Sequence, residues 1–455
     1  MICIACSSAM AAAAPKYSAK VPSEIITPNH VTSEYLGEMN YIDGAPTEET
    51  YSKTRDFVDT ANAVRLFLSG IPTASIQGLL VGHESIGMKP NQTIAISEGM
   101  LTAESIWLTA NTTTPYVSSE IDVKDGPVVL EVGTPVLGLI DNAAFKFTGR
   151  VGLPHPKDQG KGGKYFVYHS SYEGEVPEGH IRIETIGYQH WLLLRIVSNK
   201  ADVPKNVQAL KDTMKLYPYD RPDQQTEFIN ITGIKYNTVH AMNEKFFDEI
   251  NALVQYEPTA LWNEEWLGIA KDLGIEKGVA FKPDARMQRI LKEAAKIATA
   301  EARGANFYPT EKVRVYDNRQ WFTPLIEGHE FKDENGVLSV TERTVFHLMA
   351  TGITPEMVTT EVGKGSAYLV GTRDAAGKLF DGSKHYTCTL PKDIPAASFW
   401  SFLIYDNQTR SMLETDQKDA GVDGLKKGLR TNDDGTTTIH FAPEAPKGWE
   451  NNWVQ

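Results

Sequence analysis

The stretch Ile181-Arg182-Ile183-Glu184-Thr185-Ile186-Gly187-Tyr188-Gln189-His190-Trp191-Leu192-Leu193-Leu194-Arg195-Ile196-Val197 decides the fold class. Both halves are β-branched, aromatic or leucine-rich, and a glycine divides them, which is how consecutive strands read. Upstream, Pro127–Val132 and Tyr165–Tyr168 are runs of the same kind, punctuated by Gly and Pro. Several such strands with no helix between them predict an antiparallel sandwich or barrel over residues 93–235.

Moving outward, the pattern changes on both sides. Pro46-Thr47-Glu48-Glu49 is a helix start, with Thr47 as cap and acids in the first turn. Phe57, Ala61, Val64 and Leu68 then recur at helical spacing, and Gly70-Ile71-Pro72 is expected to break the helix before a second short one ending at Leu80. Downstream, Met242, Phe246, Ile250 and Leu253 form an apolar stripe. Asp284 caps a further helix in which Met287, Ile290, Leu291, Ala294 and Ile297 are expected to face inward and Arg303-Gly304 to mark the end. Strand-like runs return at Ala367–Val370, His385–Leu390, Trp400–Tyr405 and Thr436–Phe441, with turns at Asp374–Gly377 and Asn432–Gly435. The expected fold class is therefore α+β: two antiparallel β-sandwich or jelly-roll-like domains, a helical N-terminal segment, and a helical insert between the domains. The segments are residues 1–14 (partial signal peptide), 35–92 (helical), 93–235 (first β domain), 236–305 (helical insert), 306–345 (connector) and 346–455 (second β domain).

The chain has 455 residues, a net charge of −13, 41% hydrophobic and 23% charged residues, enough apolar side chains for a core and too many for a disordered chain. The acidic balance argues against nucleic acid as a partner. No continuous apolar run beyond residue 14 reaches the ~18 residues of a spanning helix. Residues 1–14 have the apolar centre and small-residue end of a secretory signal, with an Ala-x-Ala site ending at Ala11, so the expected location is periplasmic or secreted and the mature chain is expected to begin near Ala12. Cys3 and Cys6 fall in that signal, which leaves Cys388 without an internal disulfide partner.

Standard catalytic motifs are missing. There is no G-x-S-x-G elbow, no P-loop, no dinucleotide fingerprint and no H-E-x-x-H. Neither a cofactor nor a metal is expected, and no catalytic residue is assigned. Three segments carry candidate binding groups. In Leu108-Thr109-Ala110-Asn111-Thr112-Thr113-Thr114-Pro115-Tyr116, the side chains of Asn111, Thr113 and Tyr116 could line a polar pocket, or the turn could satisfy its own backbone. In Gly160-Lys161-Gly162-Gly163-Lys164-Tyr165, Lys161 and Lys164 could hold an anion, or the segment could be a surface turn. In Phe399–Arg410, Tyr405, Asp406 and Arg410 follow an aromatic strand, where Arg410 could fork onto a carboxylate or sulfate or pair locally with Asp406.

At these segments the chain resembles the bacterial two-domain family that pairs domain of unknown function 1254 with domain of unknown function 1214. Leu108–Tyr116, Gly126–Val132 and Gly160–Tyr165 are similar to the first domain; Thr351–Pro355, Phe399–Ser401, Tyr405-Asp406, Gln408–Met412 and Asn452-Trp453 are similar to the second. The resemblance spans about residues 35–455. It implies two β-sandwich-like domains with a helical insert, export in Gram-negative bacteria, and no established reaction. Two departures stand out. Members usually continue past Asn-Trp-Val/Ile-Gln, where this sequence stops, so the second sandwich is expected to lack its last strand; and Asp141–Arg150 is less aromatic than the family pattern. The expected function is binding or processing of a small polar or anionic molecule between the two β domains. Hydrogen bonds would come from Asn111, Thr113 and Tyr116, and positive charge from Lys161, Lys164 and Arg410. The alternative is a non-catalytic structural or interaction protein of the cell envelope. A homo-oligomer is compatible with either.

Overall fold

The computed structural model describes residues 20–153, 157–196, 200–358, 367–396 and 399–455; the expected signal segment, residues 1–14, lies outside them. The chain divides into two compact units, residues 1–62 and 63–455. In the first unit, β1 (His30–Ser33), β2 (Gly37–Ile42) and β3 (Ala45–Pro46) form a small antiparallel sheet. Within it His30 Nδ1 lies 2.8 Å from Asn40 Oδ1. A helix, α1 (Glu48–Ser85), begins there and carries the chain into the second unit.

The expected break at Gly70-Ile71-Pro72 does not occur, because α1 is continuous through Pro72. Proline lacks the N–H that should serve the carbonyl four residues back. That carbonyl, on Leu68, instead accepts a 2.9 Å hydrogen bond from the Thr344 hydroxyl. The buried face of α1 is also displaced from the expected stripe. Phe57 is 46% exposed and Ala61 is exposed, whereas Ala63, Leu66, Phe67 and Ile71 are fully buried. Phe67 stacks on Phe246 with ring centroids 3.9 Å apart, so the helical insert selects the face. By length and composition α1 is apolar enough to cross a membrane, although Ser69, Thr73 and Ser75 interrupt its apolar run; 67% of its most apolar window is buried within the protein, as in a core helix.

The first β domain is a two-sheet stack. Its strands are β4 (Thr93–Ile96), β5 (Tyr116–Asp122), β6 (Val128–Val132), β7 (Val136–Asn142), β8 (Phe147–Gly152), β9 (Gly163–His169), β10 (His180–Thr185) and β11 (Gln189–Ile196), followed by α2 (Val203–Thr213), β12 (Lys215–Pro218) and β13 (Glu227–Asn230). One sheet has the order β10-β9-β6-β12 and the other β13-β4-β5-β11-β7-β8. Alternate residues such as Leu130, Tyr165, Leu192 and Leu194 fill one core. The opposite face of β11, through Trp191 and Leu193, enters a second core with Ile76 and Leu79 of α1 and with Phe331, Phe346 and Met412 from later in the chain. The six-stranded sheet is thus covered on both sides, which is why Trp191-Leu192-Leu193-Leu194 is continuously apolar.

Helices α3 (Phe246–Tyr256), α4 (Glu264–Asp272) and α5 (Ala285–Phe307) pack with α1 around Phe67, Phe246, Ile250 and Ile290. Asp284 caps α5 as expected, accepting from the Met287 amide at 2.8 Å. The helix does not end at Arg303-Gly304, however, and Ile297 is 46% exposed. The inward face is carried by Ile290, Leu291, Ala294, Ala298 and Ala302, and Arg303 is spent on carbonyls outside the helix. A short helix, α6 (Val340–Met349), contributes Leu348 to this body.

The second β domain comprises β14 (Tyr386–Leu390), β15 (Ser401–Leu403), β16 (Gly421–Asp423), β17 (Thr437–Phe441) and β18 (Trp453–Val454), in sheets β14-β17-β18 and β15-β16. Residues 367–370 are not a strand; Val370 makes a single bridge to Phe322. The buried Asn452 side chain accepts from the Arg430 amide and donates to the Arg430 and Thr438 carbonyls, so the Asn452-Trp453 motif ties β17 to a loop. The fold is α+β with antiparallel-rich sheets. Three pairs are parallel (β9 with β10, β4 with β13, β17 with β18), each at a sheet edge, where a strand needs a partner on one side only.

Candidate functional site

The segments carrying the first and third sets of candidate residues meet. The Tyr405 hydroxyl donates to the carbonyls of Thr109, at 3.3 Å, and Ala110, at 3.0 Å. The Thr109 amide donates to the Arg410 carbonyl at 3.0 Å. Both clasped residues have left-handed backbone, with φ 40° at Thr109 and 60° at Arg410. For a β-branched residue that conformation is strained, and strain of this kind is held only where the surroundings enforce it.

Within this clasp most of the candidate side chains serve the local backbone. Asn111 Oδ1 accepts from the amides of Thr113 (2.9 Å) and Thr114 (3.0 Å) and from both hydroxyls, a turn that satisfies itself. The Asn111 amide and side-chain Nδ2 donate to the Tyr116 hydroxyl at 3.2 and 2.5 Å. Asp406 Oδ1 accepts from the Gln408 and Thr409 amides, both at 2.8 Å. The alternative of a local Asp406–Arg410 ion pair is not formed; the link between them is the Arg410 amide on the Asp406 carbonyl.

Arg195, near the end of β11, joins this cluster and was not singled out in the sequence. Its guanidinium lies 5.6 Å from the centre of the Tyr116 ring. The phenols of Tyr116, Tyr368 and Tyr405 all surround it, Tyr116 most strongly, and hold its proton more tightly. Burial raises the Tyr116 and Tyr405 phenols above the usual tyrosine range, so both are protonated; Arg195 opposes the rise at each. The available signal was a cation directly after the apolar run Trp191–Leu194.

Arg410 itself is only 6% exposed. Its Nη1 reaches the Gln408 carbonyl at 3.4 Å, while Nε and Nη2 are buried with no hydrogen-bond partner among the described residues. Burial, and then the Arg303 charge, lower its pKa to about 10. Arg303 donates to the carbonyls of Asn407, at 2.7 Å, and Gln408, at 3.1 Å. His240 is also buried; its Nδ1 lies 2.9 Å from the Ala241 carbonyl, and Nε2 has no partner. Burial and the Arg410 charge push His240 down to about 3. His240 belonged to no recognisable motif, and Arg303 was read in the sequence only as part of a helix end.

Lys161 and Lys164 do not join this cluster. Both are exposed, and Lys164 pairs with Glu131 at 3.3 Å across β9 and β6. The glycine-rich segment is organised by buried Asp158, which accepts from the Gly160 amide at 2.8 Å and from the Tyr165 hydroxyl. A buried Ser118–His83 contact of 2.8 Å resembles a nucleophile and its base. The Trp191 indole also donates to the Ser118 hydroxyl at 2.7 Å, and no acid orients the far nitrogen of His83, so the contact is a packed polar link. Among the described residues no group of three or more His, Cys, Asp or Glu side chains is placed to hold a metal ion. A surface cleft of about 270 Å³ is lined by Lys392, Asp393, Phe399 and Trp400 in the second β domain and by none of the candidate residues named above.

Similarity to other proteins follows the same division. No curated protein matches the chain. The crystal structure of the VPA0106 protein from Vibrio parahaemolyticus is similar in fold, with a TM-score of 0.50 and 15% identity over 87% of this chain and 91% of that one. An uncharacterised protein from Burkholderia cenocepacia aligns with a TM-score of 0.28 and 11% identity over 90% of this chain and 89% of that one. Residues 90–218 match the family described as "Protein of unknown function (DUF1254)", and residues 365–455 match "Protein of unknown function (DUF1214)". The chain therefore carries a segment that matches domain of unknown function 1254 N-terminal to one that matches domain of unknown function 1214.

Proposed function

We propose that this is an exported, soluble protein that binds or processes a small polar or anionic molecule at the junction of its two β domains. The observation that carries the reading is the Arg410 guanidinium, which is buried beside Arg303 with two N–H groups unpartnered and no acid among the described residues to neutralise it. A buried cation without a counter-charge is costly, and an anion bound there relieves that cost. Export is supported by the signal-like composition of residues 1–14. The test is a thermal-shift screen of the purified protein against carboxylates, phosphate, sulfate and neutral metabolites, because a ligand of the folded state raises the melting temperature. Stabilisation by at least one small anion is expected, and no shift with any compound would remove the reading.

A second reading, a structural or interaction protein of the envelope, draws on the clasp. Asn111, Thr113, Tyr405 and Asp406 all make hydrogen bonds that hold their own turns or join the two domains. An empty screen, with Tyr405→Phe still lowering the melting temperature, favours it.

A further inference from the structure

We propose that the surface cleft of the second β domain is a binding site for a neutral saccharide of about one ring. The cleft has a volume of about 270 Å³, close to the lower end, about 300 Å³, of small-molecule pockets. Phe399, Trp400, Lys392, Asp393, Thr431 and Thr437 line it, and Arg410 and Arg303 do not, so the proposal stands independently of the small-anion reading. Phe399 is 38% exposed, and Lys392, Asp393 and Thr431 are exposed as well, so a ligand enters without any rearrangement.

The cleft combines an aromatic wall with unpaired polar groups. Phe399-Trp400 lead into β15, and the Trp400 carbonyl accepts from the Gly424 amide at 2.8 Å. The indole is held by Phe402, which it meets nearly edge-on, with ring centroids 6.1 Å apart and planes at 69°. A Cβ on Gly424, which also lines the cleft, would lie 2.9 Å from the Trp400 Nε1, so only glycine leaves the indole uncovered there. A fixed aromatic face carries partial negative charge and attracts the weakly positive C–H bonds of a sugar ring. The Lys392 ammonium, the Asp393 carboxylate, the Thr431 and Thr437 hydroxyls and the Trp400 indole N–H make no hydrogen bond or ion pair with another described residue.

Charge and hydrogen-bonding type select the ligand class. The charges of Lys392 and Asp393 cancel, and no other lining residue is ionised, which favours a neutral molecule. A sugar hydroxyl donates and accepts at once, so neighbouring hydroxyls serve the ammonium and indole donors together with the carboxylate acceptor. A simple anion satisfies the donors alone and is repelled by Asp393. An amino-acid zwitterion pairs with Lys392 and Asp393 but leaves the aromatic wall and both threonine hydroxyls unused.

The test uses the full chain with D-glucose, D-galactose and N-acetyl-D-glucosamine, read by calorimetry and by the Trp400 indole N–H resonance in nitrogen-15 NMR, assigned by its loss in Trp400→Phe. L-serine and acetate are the zwitterionic and anionic controls. At least one sugar is expected to bind more tightly than either control and to move that resonance. Asp393 has left-handed backbone at φ 56°, which glycine adopts without strain, so Asp393→Gly removes the carboxylate while the melting temperature stays close to that of wild type. Its affinity for the sugar is expected to fall about tenfold or more, the scale of a hydrogen bond to a charged group. Sugar binding that leaves the Trp400 resonance in place, or equal affinity in Asp393→Gly, overturns the assignment to this cleft. Tighter binding of L-serine or acetate, with the Trp400 resonance moving, overturns the saccharide class. No binding by any of the three sugars overturns the proposal and leaves the small-anion reading, which concerns Arg410, standing.

Discussion

Pro72 has no N–H to give the Leu68 carbonyl, and the Thr344 hydroxyl supplies a donor from another helix. Thr344 is 4% exposed, so the bond is shielded from water. Replacing Thr344 by Val keeps the shape and removes the donor, which should destabilise the protein by about 1–3 kcal/mol, the cost of a buried carbonyl left unpaired. In a Pro72→Ala background the helix supplies its own donor, and the same substitution should cost under about 1 kcal/mol. Urea unfolding of the four proteins measures the difference; equal costs in both backgrounds would show that the two residues are not coupled. The proline was plain in the sequence, and a break was the reasonable expectation. Its repair depended on a threonine far along the chain whose type says nothing of its partner.

At the scale of elements, glycines that look alike in the sequence have opposite roles. A Cβ on Gly78, in α1, would lie 2.7 Å from the Thr238 carbonyl oxygen and 2.9 Å from the His240 amide, so a backbone segment crosses the helix there. Gly304, in α5, has nothing within 4 Å of such an atom. Alanine at Gly304 should therefore stabilise by up to about 1 kcal/mol through helix propensity. Alanine at Gly78 should destabilise despite the same propensity gain, because backbone atoms must shift. Differential scanning calorimetry should record shifts of opposite sign, and a stabilised Gly78→Ala protein would refute the close crossing. Propensity was visible in the sequence; which helix face met another segment was not. The same limit explains why the expected stripe on α1 was displaced and why Arg303 extends α5 toward the 406–411 turn in place of ending it.

For the whole molecule, buried titratable groups set the response to pH. Burial raises Glu120, Glu249 and Glu257 from 4.5 to about 7 and raises Asp141 well above its ordinary value. Burial also lowers His83 and His190 to about 4, and His240 and His347 to about 3, from 6.5. The folded state holds the carboxyl protons more tightly than the unfolded chain, so their contribution is lost as pH rises through about 7. It holds the histidine protons less tightly, so their contribution is present above 6.5 and is lost as pH falls toward 4. Between 4.5 and 6.5 the two sets oppose one another. The melting temperature should therefore be highest in that interval and fall on both sides. Glu120→Gln should remove that residue's share of the loss between about pH 4.5 and 7, since the amide does not ionise. A melting temperature that climbs steadily from about pH 5 to 8 would contradict the carboxyl assignment.

The order of helices and strands, the α+β class, the caps at Thr47 and Asp284, and the two family domains were determined by local periodicity and short motifs, which act over a few residues. The motifs also identified the two segments that meet in the clasp, Leu108–Tyr116 and Tyr405–Arg410. Tertiary structure alone decided what those side chains do. Asn111 and Asp406 satisfy nearby amides, Lys164 pairs across two strands, and Arg410 is left buried without an acid. The reason is range: a turn or a cap is a contact between neighbours in sequence, whereas the desolvation and pairing of Arg195, His240, Arg303 and Arg410 arise only when distant segments close over them.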